Sequence, residues 1–400
     1  MYSRLKEYRI SSKEHRLRIA RVREELEKRN LDALYITNPT SILYTTGFSH
    51  IATERPAAVV IHRQGVCYLG PVIEIDHIPM KTNLISEFKT YLDYPGERHP
   101  IDRFVRFLKE LGLRGKRIGT ENLSGASGGW GYAGPSLAKK MKGTAFIEAR
   151  DIIAEMRIVK SEEELRLLKE SGKWTVRAHQ LLKKHIAPGK HDIEVAAKTT
   201  TEASREMIRE LGSNYTPFRS DMPIQAGFRG QVGPMSAIPH AISTSRPMRR
   251  GNVLGSGAGA DVGGYSAELE RTWIIGSPTP KQKRLFENML VAQQAALDAF
   301  RPGARCGDVD KAARRIIKKS GCENFMRHHT GHSIGLDPHE PPWIDIGDRR
   351  IMREGMVFSC EPGIYVRGYA GFRHSDTVIV TQDGSEIITP FPRDLESLII

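Results

Sequence analysis

The sequence predicts an α/β domain over residues 1–157 followed by an α+β domain over residues 158–400. Three observations carry that expectation. In the first part, short runs of branched and aromatic residues alternate with helical stretches, the texture of a layered α/β domain. A capping-box pattern, Ser161 to Glu164, then opens a long helical run. After a second helix, glycine-rich strand patterns, two more helices and a β-type tail follow, and strands grouped beside helices read as α+β.

Taken in order, residues 12–30 place Leu17, Ile19, Ala20, Val22 and Leu26 at helical spacing. The runs 33–37, 42–46, 57–62 and 66–69 are β-type. Helical stretches at 101–112 and 134–142 flank a strand-like segment at 116–121. The run opened by Ser161 ends at Pro188-Gly189, and another helix spans 191–211. Residues 251–276 read as a glycine-rich hairpin. The segment GSGAGA (255–260) fits G-x-G-x-x-A, but a dinucleotide fingerprint needs a helix next, and the sequence continues as a turn and a strand. Helices at 279–301 and 307–320 precede the β-type tail, in which MVFSCEPGIYV, GFRHSDTVIV and SEIITP follow one another.

The composition is that of a globular protein, with 39% hydrophobic and 27% charged residues. No apolar run approaches the ~18 residues of a membrane helix, and the start lacks the apolar core of a signal peptide. Cys67, Cys306, Cys322 and Cys360 show no CxxC spacing, which points to reduced thiols and a cytoplasmic location. Cys360 reads as a small buried strand residue. The formal charge is +13, with residues 1–150 holding 25 Lys+Arg against 16 Asp+Glu. Acids interleave with the bases and no aromatic-basic recognition motif accompanies them, so a solvated helix face is favoured over nucleic acid.

Three segments carry the chemistry. Strand alternation puts Glu268, Glu270 and Thr272 on one face and Ala267, Leu269 and Arg271 on the other. The stretch 327–342 holds His328, His329, His332 and His339, four of the chain's 14 histidines. Histidine is the usual metal ligand and acid/base near neutral pH, and Gly331 and Gly335 argue for strand or loop rather than a helical zinc motif. Glu361 sits between an apolar strand start and Pro-Gly; an acid buried there must be paired, ligated or neutral.

Together GHSIGLDPHEPP, EGMVFSCEPGIYV, GFRHSDTVIVT and, near the start, YTTGF (44–48) resemble the creatinase/prolidase superfamily (M24). This is the pita-bread fold of methionine aminopeptidase, Xaa-Pro dipeptidase, aminopeptidase P and creatinase. The resemblance covers essentially the whole chain. Its peptidases hold two divalent metals with Asp, Asp, His, Glu and Glu. Carried over, the first Asp falls on Gly257, the second on Glu268, the His on His332, the first Glu on Glu361 and the last Glu on Ser375. Two ligands are thus lost and one is exchanged for a longer acid. Creatinase, the metal-free member, reads A-L-E-R-T where this chain reads ELERT, which puts Glu270 at its catalytic Glu. Creatinase's catalytic His lies 30 residues earlier, as His240 does here. Its cross-subunit substrate arginine lines up on Arg55, and a second substrate arginine falls on Leu336. His328 and His339 resemble the proton-transfer histidines of the peptidases.

The resemblance implies three readings. The leading one is a metal-independent, creatinase-like hydrolase of a C–N bond in a small carboxylate-bearing substrate. Arg55, from the partner subunit of a homodimer, would hold the carboxylate, with His328 as a further substrate contact. Glu270, Glu361, His240, His332 and His339 would form the catalytic set. No cofactor is expected on that reading. The alternative is a metal-dependent Xaa-Pro dipeptidase or aminopeptidase P-like enzyme with one zinc or manganese ion held by Glu268, His332 and Glu361. The third is a non-catalytic binding protein on the same fold.

Overall fold

The computed structural model describes residues 8–123, 134–215, 217–218 and 222–400. It divides the chain into one unit, Ile10–Arg157, and another, Ile158–Ile400 with the residues before Ile10.

The first unit runs α1 (Ser12–Lys28), β1 (Ala33–Ile36), α2 (Pro39–Thr46), β2 (Ala58–His62), β3 (Val66–Pro71), α3 (Ile78–Lys81), β4 (Glu87–Tyr91), α4 (Pro100–Glu110), β5 (Arg117–Thr120), α5 (Leu137–Lys140), β6 (Ala145–Glu148) and α6 (Arg150–Ile158). Its strands form one mixed sheet in the order β4-β3-β2-β1-β5-β6. Tyr35, Val60, Leu69, Ile118, Phe104 and Leu108 belong to one buried cluster. Two sequence expectations fail here. Residues 42–46 belong to α2, not to a strand. Asn38 caps its N-terminus by accepting from the Thr40 N–H, Pro39 opens it, and Gly47 closes it at φ 78°. These end signals outweigh the β propensity of ILYTT. In α1, Leu17 is half exposed, while His15 and Arg18 are buried with Ile19, Val22 and Leu26. His15 Nδ1 and Arg18 Nη1 both donate to the Tyr44 carbonyl, at 3.1 and 3.0 Å.

The second unit runs α7 (Glu162–His185), α8 (Asp192–Leu211), β7 (Ile224–Gly227), β8 (Val253–Val262), β9 (Tyr265–Ile274), α9 (Pro280–Leu297), α10 (Cys306–Lys319), β10 (Gly331–Ser333), β11 (Glu340–Ile344), β12 (Val357–Cys360), β13 (Gly363–Val366), β14 (Ala370–Arg373), β15 (Asp376–Val380) and β16 (Ser385–Ile387). The Ser161–Glu164 capping box forms in both directions. Residues 251–276 form the expected hairpin, β8–β9, turning at Gly263-Gly264. Strands β7-β8-β9 make one sheet and β11-β10-β12-β15-β16 another. The two meet where Glu270 and Ser375 exchange backbone hydrogen bonds of 3.0 Å each. Arg271, fully buried on the opposite face of β9, locks this junction. It reaches Asp376 at 2.7 Å and the carbonyls of Ser375, Phe391 and Pro392. Among the described residues no helix is long and apolar enough to cross a membrane.

Candidate active site

Strand register assembles the site. Glu270 lies opposite Gly257 on β8 and bridges to Ser375, while Glu268 lies opposite Gly259. Gly257, Glu270 and Ser375 therefore form one cross-strand row. The two positions that lack a carboxylate flank the one that has it. On the same face, two residues along, the Ser375 hydroxyl donates to Glu268 Oε1 at 2.7 Å.

The hairpin β10–β11 brings His332 and His339 to these acids, with the two rings stacked at 3.8 Å. Behind it, buried Lys160 donates to Ser333 Oγ at 2.9 Å and Glu340 Oε1 at 2.8 Å, tying the two strands together at the turn end of the hairpin. His332 Nδ1 donates to the Ser333 carbonyl at 3.1 Å, which leaves Nε2 facing Glu361 Oε1 at 3.2 Å. His328 Nδ1 donates to the His329 carbonyl, so its Nε2 accepts from the Tyr365 hydroxyl at 2.8 Å. His240 is exposed on the loop before β8, close enough for its charge to act on His339. Arg55 lies in the other unit, where it donates to Asp93 at 2.8 Å and Glu54 at 2.9 Å.

Two residues that sequence reasoning left out complete the site. Arg373 Nη2 donates to Glu270 Oε1 at 2.6 Å, its Nε lies against Oε2, and it stands 3.9 Å from Glu361. Arg229 Nη2 donates to Glu270 Oε1 at 2.9 Å. Arg373 lies inside GFRHS, a segment readable as basic and polar. Arg229 has only the Arg-Gly pair of a tight turn as a signal, and spacing alone does not connect that turn to a strand 41 residues later.

Burial sets the electrostatics and close partners divide the roles. Burial pushes Glu270 up to about 7; Arg373 pulls it down, while Glu268 and Glu361 push it further up. Burial, then Glu361, raises Glu268. Burial opposes charge on Glu361 and His332 too, yet their mutual contact outweighs it. Glu361 falls to about 2, helped by Arg373, and His332 rises to about 9, helped by Glu268. Burial and the neighbouring His332 lower His339.

Glu268, His332 and His339 place one ligand atom each within 4.8 Å of one another, and so do Glu268, Glu270 and Glu361. Carboxylates and an imidazole with Nε2 turned inward form a donor set for one divalent cation of the zinc or manganese kind. A second cation is opposed by what surrounds Glu270. Gly257 has no donor, the Ser375 hydroxyl is engaged by Glu268, and two guanidinium groups already neutralise the acid.

The description "Metallopeptidase family M24" matches residues 166–382 as a family model, and the "Creatinase/Prolidase N-terminal domain" matches residues 18–159. The chain belongs to metallopeptidase family M24. It is a hydrolase of peptide C–N bonds. An Xaa-Pro dipeptidase of Pyrococcus horikoshii is 29% identical over 379 residues, covering 94% of this chain and 98% of the relative. The crystal structure of the prolidase from Pyrococcus horikoshii OT3 superposes with a TM-score of 0.80 at 26% identity, covering 95% of this chain and 99% of that one. An Xaa-Pro dipeptidase structure from Bacillus anthracis gives 0.80 at 25% identity, over 96% and 100%. The M24 assignment and the pita-bread fold follow. The metal-independent, creatinase-like reading is overturned, and with it the expectation of no cofactor. The match is to metallopeptidases, the relatives are named dipeptidases, and a candidate cation site is present. The physical reason the sequence misled is the ELERT motif. Glu270 does occupy the creatinase-like position, but Glu268 beside it still faces His332. Membership of an enzyme family likewise removes the non-catalytic reading.

Proposed function

We propose that this M24 chain is a metal-dependent peptidase of the Xaa-Pro dipeptidase type that works with one divalent cation. The supporting observation is the row Gly257–Glu270–Ser375, in which one carboxylate stands between two missing ones and is neutralised by Arg373 and Arg229. Glu268, His332 and Glu361 would hold the cation, with His339 in reach of the same place. A bound divalent cation supplies Lewis-acid polarisation of the scissile carbonyl and makes water a nucleophile at neutral pH. The chain's own residues do the rest. Glu270, with its carboxyl near 7, takes a proton from the attacking water and delivers it to the leaving nitrogen as the C–N bond breaks. Arg373 holds that carboxylate in place and stabilises its charged form. His339 is neutral at neutral pH and offers a ring hydrogen to the leaving nitrogen; His240 stands beside it on the open side.

The test is hydrolysis of L-Ala-L-Pro by protein loaded with Mn²⁺ or Zn²⁺, with metal content measured on the same sample. Close to one ion per chain and activity abolished by chelator are expected. Chelator-resistant cleavage, or none with any metal, overturns the reading. A homodimer and a cytoplasmic location belong to the same proposal. The first rests on Arg55 lining up with a cross-subunit arginine and is checked by sedimentation. The second rests on four free, buried cysteines.

A further inference from the structure

We infer that Gln293, on helix α9 and outside the donor set, is a positioning residue for the cation, because its amide fixes the direction of Glu361 relative to the strand that carries Glu268 and Glu270. This rests on the metal-dependent reading above and adds to it the element that sets the spacing of the ligands.

The peptide that leads into Glu361 is held at both edges. Its N–H donates to the Thr330 carbonyl at 2.7 Å, and its carbonyl, that of Cys360, accepts from Gln293 Nε2 at 3.2 Å. A peptide plane is rigid, so bonds at opposite edges fix its tilt. Glu361 also precedes Pro362, which confines its own backbone to extended conformations. The direction in which the Glu361 side chain leaves the backbone follows from these constraints. Thr330 is held in turn by Asp310, buried on α10, which accepts from the Thr330 N–H at 3.0 Å and from its hydroxyl at 2.7 Å. One edge of the peptide is thus referred to α10 and the other to α9.

The same amide reaches the other half of the site. Cys360 lies opposite Asp376 across β12 and β15, and Gln293 Nε2 bridges this pair, giving its second hydrogen to Asp376 Oδ2 at 2.9 Å. Asp376 Oδ1 accepts from Arg271 Nη2 at 2.7 Å, and Arg271 Nη1 donates to the carbonyls of Glu270 and Ser375 at 2.8 and 3.0 Å. An unbroken chain of bonds therefore runs from the peptide before Glu361 to the peptide after Glu270. The orientation of the amide is set by its partners. Oε1 accepts from Arg393 Nη1 at 3.4 Å, and the reverse orientation would put an oxygen against a carbonyl and a carboxylate.

Gln293, Asp376 and Arg271 are all fully buried. The rest of the buried face of α9 is apolar, with Leu285, Phe286, Met289 and Ala296, apart from Gln282, which belongs to the N-terminal cap. An amide and an ion pair in such a place are no more stabilising than apolar side chains of similar volume. Stability therefore does not account for them, whereas a fully satisfied polar network in a dry interior does hold one geometry.

Mn²⁺ binding to the full-length protein is followed by electron paramagnetic resonance, which reads the free ion for affinity and the line shape of the bound ion for ligand geometry. Wild type is compared with Gln293→Leu, Gln293→Asn and Met289→Ala. Met289 is buried one turn earlier on α9 and serves as the control for a loss of packing alone. Gln293→Leu should weaken Mn²⁺ binding by about 10–100-fold, the scale of removing a group that orients a ligand, and should alter the line shape. Gln293→Asn keeps the amide on a shorter stem and should recover part of the affinity. Met289→Ala should lower the thermal midpoint but keep the wild-type affinity and line shape. If Gln293→Leu does not fold, Gln293→Asn should by itself bind more weakly than wild type and with an altered line shape. Wild-type affinity and line shape in the Gln293 variants, or an equal loss in Met289→Ala, overturns the inference. Absence of Mn²⁺ binding by the wild type is a different result, which sinks the metal-dependent reading and this inference with it.

Discussion

Glu270 is bracketed by Gly257 on one neighbouring strand and Ser375 on the other, and the one-cation proposal rests on this row. A Cβ on Gly257 would stand 3.4 Å from Glu270 Oε1, an ordinary contact, so a side chain fits there. The combined change Gly257→Asp with Ser375→Glu should therefore raise bound Mn²⁺ from close to one ion per chain to two, read by elemental analysis after dialysis. The two acids next to each other differ in kind. Glu268 belongs to both ligand triads, whereas Glu270 is engaged by arginines. Glu268→Gln should weaken metal binding by more than the ~10–100-fold typical of groups that only support ligands. Glu270→Gln should fall within that range, because it leaves the Arg373 charge facing the cation. Calorimetric metal titration of both variants checks the order.

At the scale of elements, α1 shows how a buried face departs from its apolar pattern. Its inner side is made by His15 and Arg18, both donating to the carbonyl of Tyr44 in α2. Burial, reinforced by the charge of Arg18, lowers His15 to about 3. In the unfolded chain the same imidazole titrates near 6.5. Between those values the unfolded state binds a proton that the folded state refuses, so stability is full above about 6.5 and falls as pH drops toward 3. The slope is at most about 1.4 kcal/mol per pH unit. Urea midpoints for the transition of Ile10–Arg157, measured at pH 7 and pH 5, should differ in the wild type. His15→Gln should flatten that difference; an unchanged pH dependence would refute the assignment to His15. The hairpin β10–β11 makes the complementary case, since its two site histidines are placed by the buried Lys160–Glu340 pair and not by local propensity.

The whole molecule consists of two units with separate cores. The ligand triads lie entirely within Ile158–Ile400. A cation that binds only the folded state stabilises that state by about 2.7 kcal/mol at a hundred times its dissociation constant. For a unit of this size that is about 5–10 °C in Tm. Scanning calorimetry with and without chelator should therefore move the transition of Ile158–Ile400 and leave that of Ile10–Arg157 in place. A uniform shift of both would mean that the units unfold as one.

What the sequence determined by itself is local or periodic. The capping box at Ser161 satisfies backbone groups within four residues, and the β8–β9 hairpin follows from alternation ending at Gly263-Gly264. The shared face of Glu268 and Glu270 needs only the two-residue strand period. The family motifs are likewise contiguous, so His332, His339 and Glu361 could be singled out before any fold was known. Tertiary structure decided the rest, because it depends on contacts between distant segments. The strand-like ILYTT became helix α2 once its caps and burial outweighed side-chain preference. Arg373 and Arg229 became the counter-charges of Glu270 only when β14 and the turn at 228–231 were folded against β9. Which charges face Glu270 was likewise decided by register and by segments distant in sequence, and a carboxylate's protonation follows from what faces it in a dry, crowded site.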